Sequence, residues 1–279
     1  MIEESEKTAD SFAYFFENKR MLETEFLEDL CHRIGDAQAH NFVNVVSVNW
    51  HFDHNSRPSQ RLKASVRRYL QYLGESAETV DRLVVSEYRA LPKPSFSPLE
   101  IELILETTHQ MLFKHIGEWN TCRPESWRHS RDTVFLRRGL ALREPFPKGH
   151  LYREWDFINA YSLTVSVPEK FSLEDCTNAI PAIITADLDY LDQCILFFSP
   201  FILNMPTDQL EAGVIPGFAA EPLAFHGKHR GIHEYYLAPH EPPQALGGGT
   251  NRGRANMRPA RRNPAVLGIE LNVDDEHSS

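Results

Sequence analysis

Three short segments in the second half of the chain each add one polar group to a stretch that otherwise reads as β-strand. The first is Phe135-Leu136-Arg137-Arg138-Gly139-Leu140, the second Ser162-Leu163-Thr164-Val165-Ser166, and the third Glu234-Tyr235-Tyr236-Leu237-Ala238-Pro239. A guanidinium at a strand end can fork onto a pyrophosphate, and a glycine beside it lets a backbone or ligand come close. Adjacent strand residues face opposite sides, so one arginine of the pair serves a site. Arg138, which directly precedes Gly139, is the expected one. If Tyr161 to Val167 is a strand, Ser162, Thr164 and Ser166 share one face while Tyr161, Leu163, Val165 and Val167 share the other. A carboxylate such as Glu234 set beneath a ribose would stabilise an oxocarbenium-like transition state without a metal.

Taken singly, these features also describe a surface arginine pair, a half-solvated strand and a solvated glutamate. Their order along the chain joins them. That order resembles the arginine, serine, glutamate class of mono-ADP-ribosyltransferases. In that family an apolar strand ends in arginine and glycine, a serine-threonine-serine strand follows, and a glutamate opens a later strand. The helices around Val66-Arg67-Arg68-Tyr69 and from Leu99 to His115 are similar to the helical lobe preceding the sheet there, so the resemblance spans about Gln60 to Pro239. It implies NAD as cofactor and a protein acceptor of ADP-ribose. Glu234 would stabilise the ribosyl cation, Ser162 would act with it, and Arg138, Thr164 and Ser166 would hold the dinucleotide. The hydroxyl segment is interrupted here, so the matching serine is Ser162 or Ser166. Arginine-modifying members carry a glutamate or glutamine two residues before the catalytic glutamate, whereas Ile232 stands there relative to Glu234. Another acceptor, plain NAD hydrolysis or an inactive relative is then implied.

Two other readings compete. His226, His229, His233 and Glu234 lie close enough in sequence for a metal-dependent hydrolase, but Lys228 and Arg230 stand among them and the H-E-x-x-H spacing is missing. His51-Phe52-Asp53-His54 is a lesser candidate of the same kind. Alternatively the chain is a non-catalytic interaction or effector protein, with Arg252, Arg254, Arg258, Arg261 and Arg262 as a docking segment for an acidic partner or RNA. No G-x-S-x-G elbow, Walker loop or G-x-G-x-x-G turn is present.

The elements that must position these groups change character along the chain. Ser11 to Ile34 spaces its apolar residues for one amphipathic helix, or two joined near Asn18. Phe42 to Trp50, rich in β-branched residues, favours a strand, with a buried helical turn as the other reading. Helices are expected over Gln60 to Leu73, ended by Gly74, and over Ala77 to Tyr88. Ser97 caps a helix that starts at Pro98 and runs to about His115. Strands follow at Thr133 to Leu136, Tyr161 to Val167, Ala182 to Ala186, Gln193 to Phe198 and Glu234 to Leu237, with helices at Ser172 to Asn178 and near Thr207 to Glu211. This predicts an α+β fold in which a helical N-terminal part packs against a split, mostly antiparallel sheet. The expected domains are a mostly helical extension over 1–58, the α+β domain over 59–240, and a flexible Gly/Pro/Arg-rich tail over 241–279.

The 279 residues carry a formal charge of −10, which argues against general nucleic-acid binding except through the arginine-rich tail. Four dispersed cysteines make neither a zinc ribbon nor a disulfide framework. The acidic amino end is unlike a secretory signal, and the longest apolar run, Ile195 to Leu203, is broken by Pro200 and falls short of a membrane helix. The expectation is no membrane partner and a cytoplasmic protein, or one delivered into a host cell without a cleavable signal.

Overall fold

Ser97 and Pro98 start the longest helix, and they do so through a reciprocal cap. The Glu100 amide donates to Ser97 Oγ at 3.3 Å while the Ser97 amide donates to Glu100 Oε2 at 2.6 Å. Ile101, Ile104, Leu105, Met111, Leu112, Ile116 and Trp119 then recur at helical spacing and are buried. A computed structural model of the protein describes residues 12–74, 76–85, 91–122, 134–174, 179–217 and 221–237. In it the helices are α1 (Ala13–Glu17), α2 (Lys19–Ile34), α3 (Asp36–Asn44), α4 (Arg57–Tyr72), α5 (Ala77–Asp81), α6 (Pro98–Cys122), α7 (Ser166–Glu174) and α8 (Leu188–Leu191). The strands are β1 (Phe135–Leu142), β2 (Leu151–Tyr152), β3 (Asn159–Ser162), β4 (Ile180–Asp187), β5 (Ile195–Phe198), β6 (Glu211–Val214), β7 (Glu221–His229) and β8 (Ile232–Leu237).

The α+β expectation holds. Eight strands run in the order β2-β7-β8-β4-β1-β3-β6-β5. Only β4 and β8 pair in parallel, and this seam divides the sheet into two antiparallel portions. The helices join the sheet in one apolar core. Phe26 stacks near Phe201 with ring centroids 6.1 Å apart, Phe15 meets Phe198 edge-on at 5.5 Å, and Thr108 Oγ1 donates to the Leu196 carbonyl at 3.0 Å. The first 58 residues supply Phe15, Leu22, Phe26, Phe42 and Trp50 to that core. Residues 241–279, read as a tail, lie outside the described residues.

Several local expectations change. Phe42 to Trp50 is helical, as the end of α3 followed by a π-helical turn, Val45–Trp50. Phe42, Val46 and Trp50 are spaced by four and all are buried, so burial of a helical stripe overrides β-branched propensity here. The helix expected at Ala77 to Tyr88 ends at Asp81, and residues 86–90 lie outside the described set. The helix expected at Ser172 to Asn178 begins earlier, at Ser166, and the one expected near Thr207 to Glu211 is a turn leading into β6. Cys31, Cys122 and Cys194 are free thiols, of which Cys122 is exposed. Among the described residues no helix is long and apolar enough to cross a membrane.

Candidate active site

Residues paired across neighbouring strands share a face, so register decides which polar groups meet. Arg137 of β1 pairs with Ser162 of β3, and Ser162 pairs with Glu211 of β6. Arg137, Ser162 and Glu211 thus stand in register on one face of three adjacent strands, whose backbones run about 4.8 Å apart. Glycines flank the row on that face, two residues beyond Arg137 and Glu211. A Cβ on Gly139 would lie 2.1 Å from the Pro168 carbonyl oxygen, so α7 crosses β1 there at backbone contact. A Cβ on Gly213 would lie 2.1 Å from Phe197 Cε1, so that ring lies directly on the strand beside Glu211.

The backbone leading into Glu211 is strained. Leu210 is fully buried and has φ of 42°, a left-handed conformation that a branched residue seldom adopts. Its amide donates to the Thr207 carbonyl at 3.0 Å and its carbonyl accepts from the Leu163 amide at 3.2 Å, which tie the turn to the end of β3. Ser162 Oγ donates to the Gln209 carbonyl at 2.5 Å and lies 2.9 Å from Thr164 Oγ1. The Thr164 amide in turn donates to Ser162 Oγ at 3.0 Å. Strain held by its surroundings in this way is a recurrent property of working sites.

Glu211 is only 7% exposed, and its carboxylate accepts a hydrogen bond from the Trp50 indole Nε1–H at 2.9 Å. Burial pushes this carboxyl above the ordinary carboxylate range, against the pull of the Trp50 donor. The indole has company on both sides. His54 stacks on it with centroids 4.5 Å apart and planes within 7°, and Lys63 Nζ lies 5.6 Å from its centroid. Lys63 is itself buried and paired with Asp156. Burial and the nearby Lys63 charge hold His54 below its ordinary range. His51-Phe52-Asp53-His54 thus follows a helix and not a strand, and its last member packs on an indole.

Three of the residues expected from the sequence, Arg138, Glu234 and Ser166, are elsewhere. Arg138 faces the other side of the sheet from Arg137, with side-chain exposure of 15%, and donates to Glu154 Oε2 at 3.1 Å. The Tyr152 and Tyr161 hydroxyls also donate to that carboxylate, at 3.2 and 2.8 Å. Burial drives the Glu154 carboxyl upward, and Arg138 and the two hydroxyls oppose it. Arg138 is therefore committed to a closed internal network, and Arg137 replaces it in the row. Glu234 pairs with Ile183 of β4, which pairs with Gly139, so it lies three strands across and two residues along from Ser162, about 16 Å away. Glu211 is the carboxylate in register with Ser162.

The hydroxyl segment is half strand. β3 ends at Ser162, Thr164 sits buried in the following bend, and Ser166 is exposed at the start of α7. Ser162 and Thr164 are therefore brought together, and Ser166 is not among their partners. The histidine-rich segment forms the β7–β8 hairpin, turned by Arg230 and Gly231 with φ of 51° and 87°. Lys228 pairs with His233 and Gly227 with Glu234, so His233 and Glu234 face opposite sides. Among the described residues no three His, Cys, Asp or Glu gather closely enough to hold a metal ion.

The residues before Glu234 differ from those before Glu211. Gln209 stands two residues before it, the spacing carried by arginine-modifying members of the resembled family and missing before Glu234. Glu211-Ala212-Gly213-Val214 has poor strand formers, which concealed β6. No protein-family model, curated protein or solved structure matches the chain.

Proposed function

We propose that this protein cleaves the nicotinamide–ribose bond of NAD and passes the ADP-ribosyl group to a protein side chain or to water. Arg137 forks onto the dinucleotide phosphates. Ser162 and Thr164 hold the end of β3 against the Gln209 turn and fix the position of Glu211. The Glu211 carboxylate stabilises the oxocarbenium-like ribosyl cation as nicotinamide leaves, a charge interaction that gains strength from its dry setting. The observation that carries this reading is the cross-strand row Arg137, Ser162, Glu211. It repeats the residue types and chain order of the arginine, serine, glutamate transferases, with a glutamine two residues before the glutamate.

The test is release of nicotinamide from labelled NAD, with transfer of label to added protein followed in parallel. Turnover by the wild type, lost in Glu211→Gln and kept in Glu234→Gln, is the expected pattern. Absence of any NAD binding or cleavage by the folded wild-type protein, alone or with candidate acceptors, overturns it.

A further inference from the structure

Among the described residues, Trp50 is the one side chain that hydrogen-bonds the Glu211 carboxylate. Trp50 does not belong to the sheet. It ends the π-helical turn Val45–Trp50, 161 residues earlier in the chain, and it is buried at 1% exposure. A π turn holds one residue more than an α turn and rotates the backbone beyond it, a device found frequently at functional sites. Here it ends on an indole whose N–H meets Oε1 of Glu211 at 2.9 Å. The ring is gripped by the His54 stack, by Lys63 across its face and by Phe197 at 6.0 Å. Phe197 is the same ring that covers Gly213 beside the carboxylate.

We infer that Trp50 is a positioning residue for catalysis: its indole N–H fixes the rotamer of Glu211 and favours its ionised form. The inference rests on the NAD reading and deepens it, because it assigns part of the catalytic apparatus to the helical region ahead of the sheet. A carboxylate acting on a cation must be charged and aimed, and burial opposes the charge. An N–H donor aimed at the carboxylate counters that opposition and fixes its direction. Among the described residues the charged and titratable groups around the pair include Lys63 of α4, Asp156 before β3, His54 after the π turn with Asp53 and His51 beside it, and Arg137 two strands away in the row. Lys63 is paired with Asp156, and the indole N–H is the side-chain donor in direct contact with the Glu211 carboxylate.

The experiment compares wild type, Trp50→Phe, Glu211→Gln and the double variant in NAD cleavage across pH. Phenylalanine keeps an aromatic ring and removes the donor. Trp50→Phe is expected to lower kcat about tenfold or more, with little change in KM for NAD. It should also move the acidic limb of the kcat profile to higher pH. In the Glu211→Gln background the same change should have almost no further effect on kcat, since it acts through the carboxylate. Far-UV circular dichroism and thermal melting check that each variant is folded. If Trp50→Phe does not fold, Trp50→Tyr, whose hydroxyl can donate and does not titrate in the acidic range, takes its place and is expected to retain the wild-type acidic limb. An unshifted acidic limb in Trp50→Phe, a displaced one in Trp50→Tyr, or equal losses in both Glu211 backgrounds would overturn the inference. A wild-type protein inert toward NAD would instead overturn the reading beneath it.

Discussion

Replacing Glu211 with glutamine separates the charge of this side chain from its shape, and the two contributions have opposite signs. A carboxylate about 4 Å from a developing cation, at an effective dielectric of about 20, contributes about 4 kcal/mol. Its loss corresponds to roughly a thousandfold fall in kcat. Folding responds the other way. Glu211 is 7% exposed, burial raises its carboxyl, and an amide oxygen can still accept from the Trp50 N–H. A carboxyl raised in the folded state binds protons more tightly there than in the unfolded chain. Its favourable contribution is therefore complete at low pH and is lost as pH rises from the ordinary carboxylate range through the raised value. Glu211→Gln removes that decline, so the variant gains stability over wild type as pH increases across this window. Nicotinamide release measures the first effect, and urea denaturation at several pH values measures the second. Wild-type turnover in the variant, or a variant less stable than wild type at neutral pH, would refute the reasoning.

The remaining expectations arise from the same register. Arg137→Met should weaken NAD binding by about tenfold or more through loss of a charged donor, seen in KM or by calorimetry. Arg138→Met should lower stability instead, because it strands the buried Glu154 carboxylate; a destabilisation of about 3–5 kcal/mol is expected in urea titrations. Glu234→Gln should alter stability by no more than about 0.5 kcal/mol and leave NAD cleavage at the wild-type rate. Gly213→Ala forces a methyl group into the Phe197 ring and should cost about 1–3 kcal/mol. Because Phe197 also touches Trp50, the same variant should lower turnover.

The helical scaffold was legible because its signals are local. The break at Asn18, the cap at Ser97 and the stop at Gly74 all lie within a few residues of the structure they determine. The site was legible only in kind. An arginine before glycine, an alternating hydroxyl segment and a glutamate were visible, but which arginine and which glutamate depends on strand register. Arg137 and Arg138 are neighbours in sequence and occupy opposite faces, a choice made by pairing with Ser162 and by the Glu154 network. Glu211 escaped because a strand of Glu, Ala, Gly and Val carries little β preference of its own and is imposed by its neighbours. Trp50 escaped for a related reason, since nothing within the π turn indicates what lies 161 residues later.

β8 lies between β7 and β4, so the last of the described strands to leave the ribosome enters the interior of the sheet. Until Ile232 to Leu237 has been synthesised, the open side of β4 exposes unpaired amides and carbonyls to any extended chain nearby. Nascent chains halted before this point should therefore clump or engage chaperones, and completion of the described sheet should coincide with capture of β8.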